Sequence, residues 1–215
     1  MVNHEHKFIF LHVPKTAGSS IGHMLWQSAN FDARYEGFRI HHDDLTLDML
    51  EEYFVFTFVR NPWDRLWSQY KYRPFLHENY SFDDVAFNIE DCFKEHYKSD
   101  VDNPGDHVIL DDRYYRANFY GEFIHLPSQT DFLKGKYNDK INKLPYIDYI
   151  GKFENLKEDL EIVYEKIGFP KTELLHRNKS NRKEFKHYTE AYSEKAKEYV
   201  RGKYKDDIIN FSYEF

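Results

Sequence analysis

Two short runs constrain this chain more than anything else in it. Phe8–Val13 (FIFLHV) and Phe54–Val59 (FVFTFV) are apolar at nearly every position. A strand with one wet face alternates polar with apolar residues. A nearly continuous run belongs to a strand covered on both faces, as in a parallel sheet. Each run ends in a turn that opens a helix. Pro14–Ser20 follows the first, with Gly18 and two serines, and then Ile21, Met24, Leu25 and Ser28 recur at helical spacing, Ile21 and Leu25 facing inward. Arg60 follows the second, and Asn61-Pro62 then supplies an N-cap and a proline at the first helical position. In that helix Trp63, Leu66, Trp67 and Tyr70 share one face, while Asn61, Asp64, Arg65 and Ser68 share another. Strands alternating with helices predict an α/β fold with a central parallel sheet flanked by helices.

Weaker signals fill in the order. Phe38–His41 reads as a further short strand, Asp44–Tyr53 as a helix with Leu47, Leu50 and Tyr53 on its apolar side, and Tyr146–Phe153 (YIDYIGKF) as another strand. Asn155 with Glu158 reads as the cap of a helix carrying Leu156, Leu160, Val163 and Ile167, stopped by Gly168-Phe169-Pro170. From Thr189 onward the pattern is helical again. The stretch Ser81–Asp112 is polar, with Ser81 and Asp84 as a cap and Asn103-Pro104-Gly105 as a loop. The length, 215 residues, suits a single domain over 1–215 with a core of its own.

Composition narrows the function classes. A formal net charge of −7 argues against a nucleic-acid binder held by bulk charge, yet allows a local basic pocket for a phosphorylated small molecule. The one cysteine, Cys92, rules out an intrachain disulfide framework and is compatible with a reducing compartment. No run of 18 apolar residues predicts a membrane span, and Met1–Lys7 does not read as a signal peptide, so the expected setting is cytoplasmic.

The chemistry is concentrated after the two strands. Lys15-Thr16-Ala17-Gly18-Ser19-Ser20 joins a strand to a helix start, where backbone N–H groups and the helix dipole favour a phosphate. Gly18 permits close backbone approach, Thr16, Ser19 and Ser20 bring hydroxyls, and Lys15 brings a point charge. This is not the G-x-x-x-x-G-K-[ST] loop, because the lysine precedes the glycine. The competing account is a strand-turn-helix that holds no ligand. Arg60 sits at the carboxyl end of the second strand, where ligands of open α/β sheets gather. Ser68 lies two turns along the helix face begun by Asn61, so Arg60 and Ser68 are expected to converge on one oxyanion. A nucleoside triphosphatase brings a magnesium-binding aspartate from such a strand, and a cation there favours a second phosphate instead. The alternative is an arginine paired with Asp64. His12 borders the turn and reads as structural.

The pair of motifs V-P-K-T-A-G-S-S and F-V-R-N-P-W-D-R-L-W-S-Q-Y resembles the carbohydrate sulfotransferase superfamily, most closely the branch with heparan-sulfate 2-O-sulfotransferases and their bacterial relatives. Gln129 in LPSQTDFL, then YIGKFENLKEDL, LHRNKS and YKDDIINFSYEF resemble it too. The match is poorest between about Phe75 and Tyr120, and Ser212 stands where glycine is expected. The resemblance implies a P-loop NTPase-like sulfotransferase fold. It implies the donor 3′-phosphoadenosine-5′-phosphosulfate (PAPS), whose 5′-phosphosulfate the turn Lys15–Ser20 would hold. Lys15 would stabilise charge on the departing phosphate, and Arg60 with Ser68 would bind the 3′-phosphate. The product is 3′-phosphoadenosine-5′-phosphate (PAP), the acceptor a hydroxyl, on a glycan by likeness, and no metal is required.

Proton removal from that hydroxyl falls to His41 or His42, with His42 preferred, since imidazole titrates near neutrality. Glu36, Asp43 and Asp44 are the alternatives. A His-His metal site at the same place lacks a recognised ligand spacing. Arg177, Asn178, Lys179 and Ser180 form a cationic loop; in this family a late loop often closes over the nucleotide, and a solvated loop is the competing account. Tyr114, Tyr115, Phe119 and Tyr120 would stack on a sugar, though core packing is the commoner account. The competing functions are a P-loop kinase or nucleoside triphosphatase, which would need magnesium, and a catalytically inactive nucleotide-binding protein.

Overall fold

The computed structural model describes residues 1–28, 45–96, 127–135, 142–168 and 186–215. In chain order its regular elements are β1 (Val2–Asn3), β2 (Phe8–Leu11), α1 (Gly18–Ser28), α2 (Leu47–Glu52), β3 (Phe54–Val59), α3 (Pro62–Tyr72), α4 (Pro74–Asn79), α5 (Phe82–His96), α6 (Gln129–Leu133), β4 (Tyr149–Lys152), α7 (Leu156–Ile167), α8 (Glu194–Lys203) and α9 (Lys205–Asn210). The expected strand at Phe38–His41 lies outside the described residues. The chain divides into two compact units, Met1–Asn61 with Gln129–Lys179, and Pro62–Ser128 with Ser180–Phe215.

The first unit is the sheet, in the order β1-β2-β3-β4. β1 runs antiparallel to β2, while β2, β3 and β4 are parallel to one another. The fold is therefore α/β with a mostly parallel sheet, as the two apolar runs predict. Both faces of the central strands are covered. Phe8, Phe10, Phe56 and Phe58 pack with Ile21, Met24 and Leu25 of α1 and with Leu160, Val163, Tyr164 and Ile167 of α7. Ile9, Leu11, Val55 and Val59, which point the other way, are buried as well. Thr57, the polar exception, donates its hydroxyl to the Leu11 carbonyl at 2.7 Å, so its burial leaves nothing unpaired.

Register decides what meets at the carboxyl ends. Val59 pairs with Lys152, and Leu11 pairs with Thr57. One step further, Arg60 falls beside Phe153 and Asn61 beside Glu154. The α7 start departs from expectation. Asn155 makes no side-chain cap, and a 3₁₀ turn over Phe153–Asn155 leads into the helix instead. Asp159 reaches back to accept the Lys152 N–H at 2.6 Å. The far end is as expected: Gly168 takes φ 70 and closes the helix through its N–H to the Tyr164 carbonyl.

The second unit is helical. The stripe Trp63, Leu66, Trp67 and Tyr70 of α3 is buried with Leu76 of α4, Phe82, Val85, Ile89 and Phe93 of α5, and Ala196 and Val200 of α8. The indole N–H groups of Trp63 and Trp67 are satisfied by the carbonyls of Lys197 and Lys186. α5 begins where Ser81 and Asp84 cap each other reciprocally, as the sequence indicates, and it kinks at Asn88. Ser212 adopts φ 53, the left-handed region that glycine enters freely, which fits the expectation of glycine there.

Candidate functional site

The turn after β2 is built from strained backbone. Lys15 has φ 70 and Ala17 has φ 67, each costing on the order of 1 kcal/mol for a residue with a Cβ. Thr16 between them has an ordinary negative φ. Such alternation turns successive N–H groups to one side, the arrangement that cups an anion. Strain of this kind persists where the surroundings over-determine it, and here they do. Thr16 is fully buried and donates its hydroxyl to the Val13 carbonyl at 2.8 Å, stapling the turn. The amides of Ser20 and Ile21 both reach the Ala17 carbonyl, which starts α1. The amides of Gly18 and Ser19 lead that helix, where no intrahelical carbonyl exists for them.

This placement refines the expected roles. The Thr16 hydroxyl is committed to Val13, so its part in holding an anion falls to the backbone. Gly18 serves a close approach, but the group that approaches is a side chain of the protein. A Cβ on Gly18 would overlap Cδ2 and Nε2 of His12. The His12 ring also lies 6.0 Å from the Phe10 ring at an interplanar angle of 23°. Burial pushes the His12 pKa down from 6.5 to about 4, so the ring is neutral near pH 7.

The sign of the pH dependence follows from that shift. A depressed folded-state pKa gives stability that is complete above 6.5 and is lost as pH falls toward 4. His12 is expected to cost the fold up to about 3 kcal/mol across that window. Urea melts at pH 7 and pH 4.5 measure it. His12→Gln is expected to lose less stability between the two pH values than the natural chain does. An equal loss would mean that the ring is not held neutral.

Arg60 stands at the carboxyl end of β3, in the same unit as the turn. Its Nη1 donates to the Lys15 carbonyl at 3.2 Å, and its guanidinium carbon lies 3.9 Å from the centroid of the Phe153 ring. The guanidinium is thus fixed beside the turn and stacked on an aromatic face, which register places next to it. The backbone here is also held. Gln129, fully buried on α6, accepts the Arg60 N–H at 2.9 Å and donates to the Arg60 carbonyl at 2.8 Å. Glu154 accepts the Asn61 N–H at 2.7 Å. Neither role was legible locally, because the partners lie far away in sequence.

The structure brings Lys15, Thr16, Ala17, Gly18, Ser19, Ser20 and Arg60 together in one unit. Ser68 is half-buried on α3 of the other unit. Its helix neighbour Arg65 is buried and donates to the Pro127 carbonyl at 2.9 Å, so that part of the face is structural. His41, His42, Glu36, Asp43 and Asp44 lie outside the described residues, as do Arg177–Ser180 and Tyr114, Tyr115, Phe119 and Tyr120. Among the described residues there is no group of three or more His, Cys, Asp or Glu suited to a metal, and no helix long and apolar enough to cross a membrane.

A lysine, an arginine and leading helix amides at the ends of parallel strands can hold a phosphorylated ligand and neutralise charge that develops on it. A model described as the sulfotransferase family matches residues 1–214. An uncharacterized protein of Archaeoglobus fulgidus is 32% identical over 122 residues, which cover 57% of this chain and 73% of that protein. No solved structure matches.

Proposed function

Because the chain belongs to the sulfotransferase family, and membership carries a sulfuryl-transfer function, we propose that it moves a sulfuryl group from PAPS to an acceptor hydroxyl, on a carbohydrate. The P-loop-like fold is consistent with that family. Both units are proposed to work as one domain, since each is assembled from two separate stretches of chain.

PAPS supplies an activated sulfuryl group whose bond to the 5′-phosphate breaks as the acceptor oxygen bonds to sulfur. The chain does the rest. The leading amides of α1 and the turn hold the 5′ end, and Lys15 neutralises the charge that the phosphate gains on leaving. Arg60 holds the 3′-phosphate, with Ser68 kept as a candidate hydroxyl donor to it. His42 or His41 takes the acceptor proton. Alignment of acceptor and leaving group is worth roughly 7–11 kcal/mol, and a base about 10²–10⁴-fold.

The observation that carries this reading is the position of the Arg60 guanidinium, 3.2 Å from the carbonyl of Lys15 in the turn. An arginine anchored at the backbone of a lysine-bearing turn suits a nucleotide carrying phosphate at two places. Adenosine 5′-phosphate differs from PAP only by lacking the 3′-phosphate, so the pair isolates the role of Arg60. Calorimetry is expected to show Arg60→Ala weakening PAP by about 10–100-fold, the worth of a charge-assisted contact. Adenosine 5′-phosphate is expected to change by less than about threefold. Equal losses for both nucleotides would remove the 3′-phosphate from Arg60.

A further inference from the structure

The structure assigns Gln129 as a positioning residue that sets the aim of Arg60, and with it the preference for a nucleotide bearing a 3′-phosphate. This rests on the proposed role of Arg60 and adds a residue to it. Three observations converge. Gln129 is fully buried, and both halves of its amide engage the Arg60 backbone: the carbonyl accepts from the Arg60 N–H and the amino group donates to the Arg60 carbonyl. This is the bonding that a neighbouring strand would supply, delivered by a side chain at the point where β3 ends. Both polar groups of one residue are therefore held at 2.8–2.9 Å, which fixes the peptide planes on either side of the Arg60 Cα.

The side chain is then guided from two further sides. Phe153 lies under the guanidinium at 3.9 Å, and the Lys15 carbonyl takes one N–H at 3.2 Å. Glu154, the next residue after Phe153, accepts from Asn61, the next residue after Arg60. The backbone leaving β3 is thus held on one side by α6 and on the other by the turn after β4. Arginine has long, soft side-chain torsions, and a bidentate grip on phosphate needs its fork in one orientation. Fixing its backbone and stacking its plane supplies that orientation before the ligand arrives.

Loss of the Gln129 clasp leaves Arg60 present, charged and still beside Phe153 and the Lys15 carbonyl, but on a backbone no longer fixed at both peptide planes, so its fork is aimed less well and the loss falls on the 3′-phosphate. The test measures PAP and adenosine 5′-phosphate binding by calorimetry in Gln129→Leu, Gln129→Glu, Arg60→Ala and the double variant Arg60→Ala/Gln129→Leu, with thermal melts for each. Gln129→Leu removes both bonds at similar volume. Gln129→Glu keeps the acceptor for the Arg60 N–H, loses the donor, and serves where the leucine variant fails to fold. Either is expected to cut the preference for PAP by about tenfold while adenosine 5′-phosphate holds. In the Arg60→Ala background Gln129→Leu, or Gln129→Glu in its place, is expected to cost no further preference, because coupled residues do not add.

A merely structural residue would lower the melting temperature and weaken both nucleotides alike. That result, or an unchanged preference, or a loss that adds to Arg60→Ala, overturns the assignment. If Arg60→Ala itself keeps the preference, the failure belongs to the 3′-phosphate reading of Arg60 and not to the clasp.

Discussion

Lys15→Ala is expected to lower sulfuryl transfer by two to three orders of magnitude, roughly the worth of one donor aimed at developing charge. The residue sits in the strained turn at φ 70, with its carbonyl held by Arg60. Only its side chain is removed by the substitution. The backbone cup, the bond to Arg60 and the Thr16 staple are all main-chain or neighbouring features and stay in place. Turnover should therefore fall while PAPS binding changes far less, because the lysine acts on charge that appears as the phosphate departs. Transfer from labelled PAPS, with an acceptor found by screening, measures the first, and calorimetry the second. Lys15→Gly sharpens the test. It should be as inactive as the alanine variant but more stable by about 1 kcal/mol, since glycine enters the left-handed region without a Cβ penalty. Turnover within threefold of the natural chain would take Lys15 out of the chemistry.

Gly18→Ala is expected to be the most damaging one-methyl change in the turn, at about 3 kcal/mol, near the upper end of overpacking costs. The added Cβ would overlap the His12 ring, which is partly buried and stacked beside Phe10. Something must move: the ring, or the turn with its leading amides. Chemical denaturation measures the loss. The companion variant His12→Ala/Gly18→Ala separates two explanations. If the clash with the ring is the cause, removing the ring recovers much of the loss; if it does not, Gly18 is required for some other reason.

That pair also shows where local sequence reading stops. The bounds of β3 follow from its apolar run, the end of α7 from Gly168, and the start of α5 from Ser81 and Asp84, because each signal and its cause lie within a few residues. The glycine at 18 is visible in the sequence, but the ring that demands it arrives from the other side of the turn. Thr16 reads as a ligand hydroxyl until Val13 is seen to take it. Arg65 reads as part of the polar face of its helix until its burial and its bond to Pro127 appear. Gln129 has no legible role at all until the end of β3 is placed beside it. Arg65 and Gln129 find partners more than sixty residues away, and Thr16 finds one three residues back that the residue types alone do not reveal.

The order of the strands has a consequence for how the chain is made. β3 lies between β2, which precedes it, and β4, which the ribosome reaches only after all of the second unit's first stretch. At about 5–20 residues per second, FVFTFV waits on the order of ten seconds with one flank unpaired. An uncharged, β-prone segment with an open edge is a template for pairing with other chains. Newly synthesised copies therefore pass through a sticky interval that ends only when Tyr149–Lys152 docks, and crowding of ribosomes on one message, or a pause before that point, lengthens the exposure.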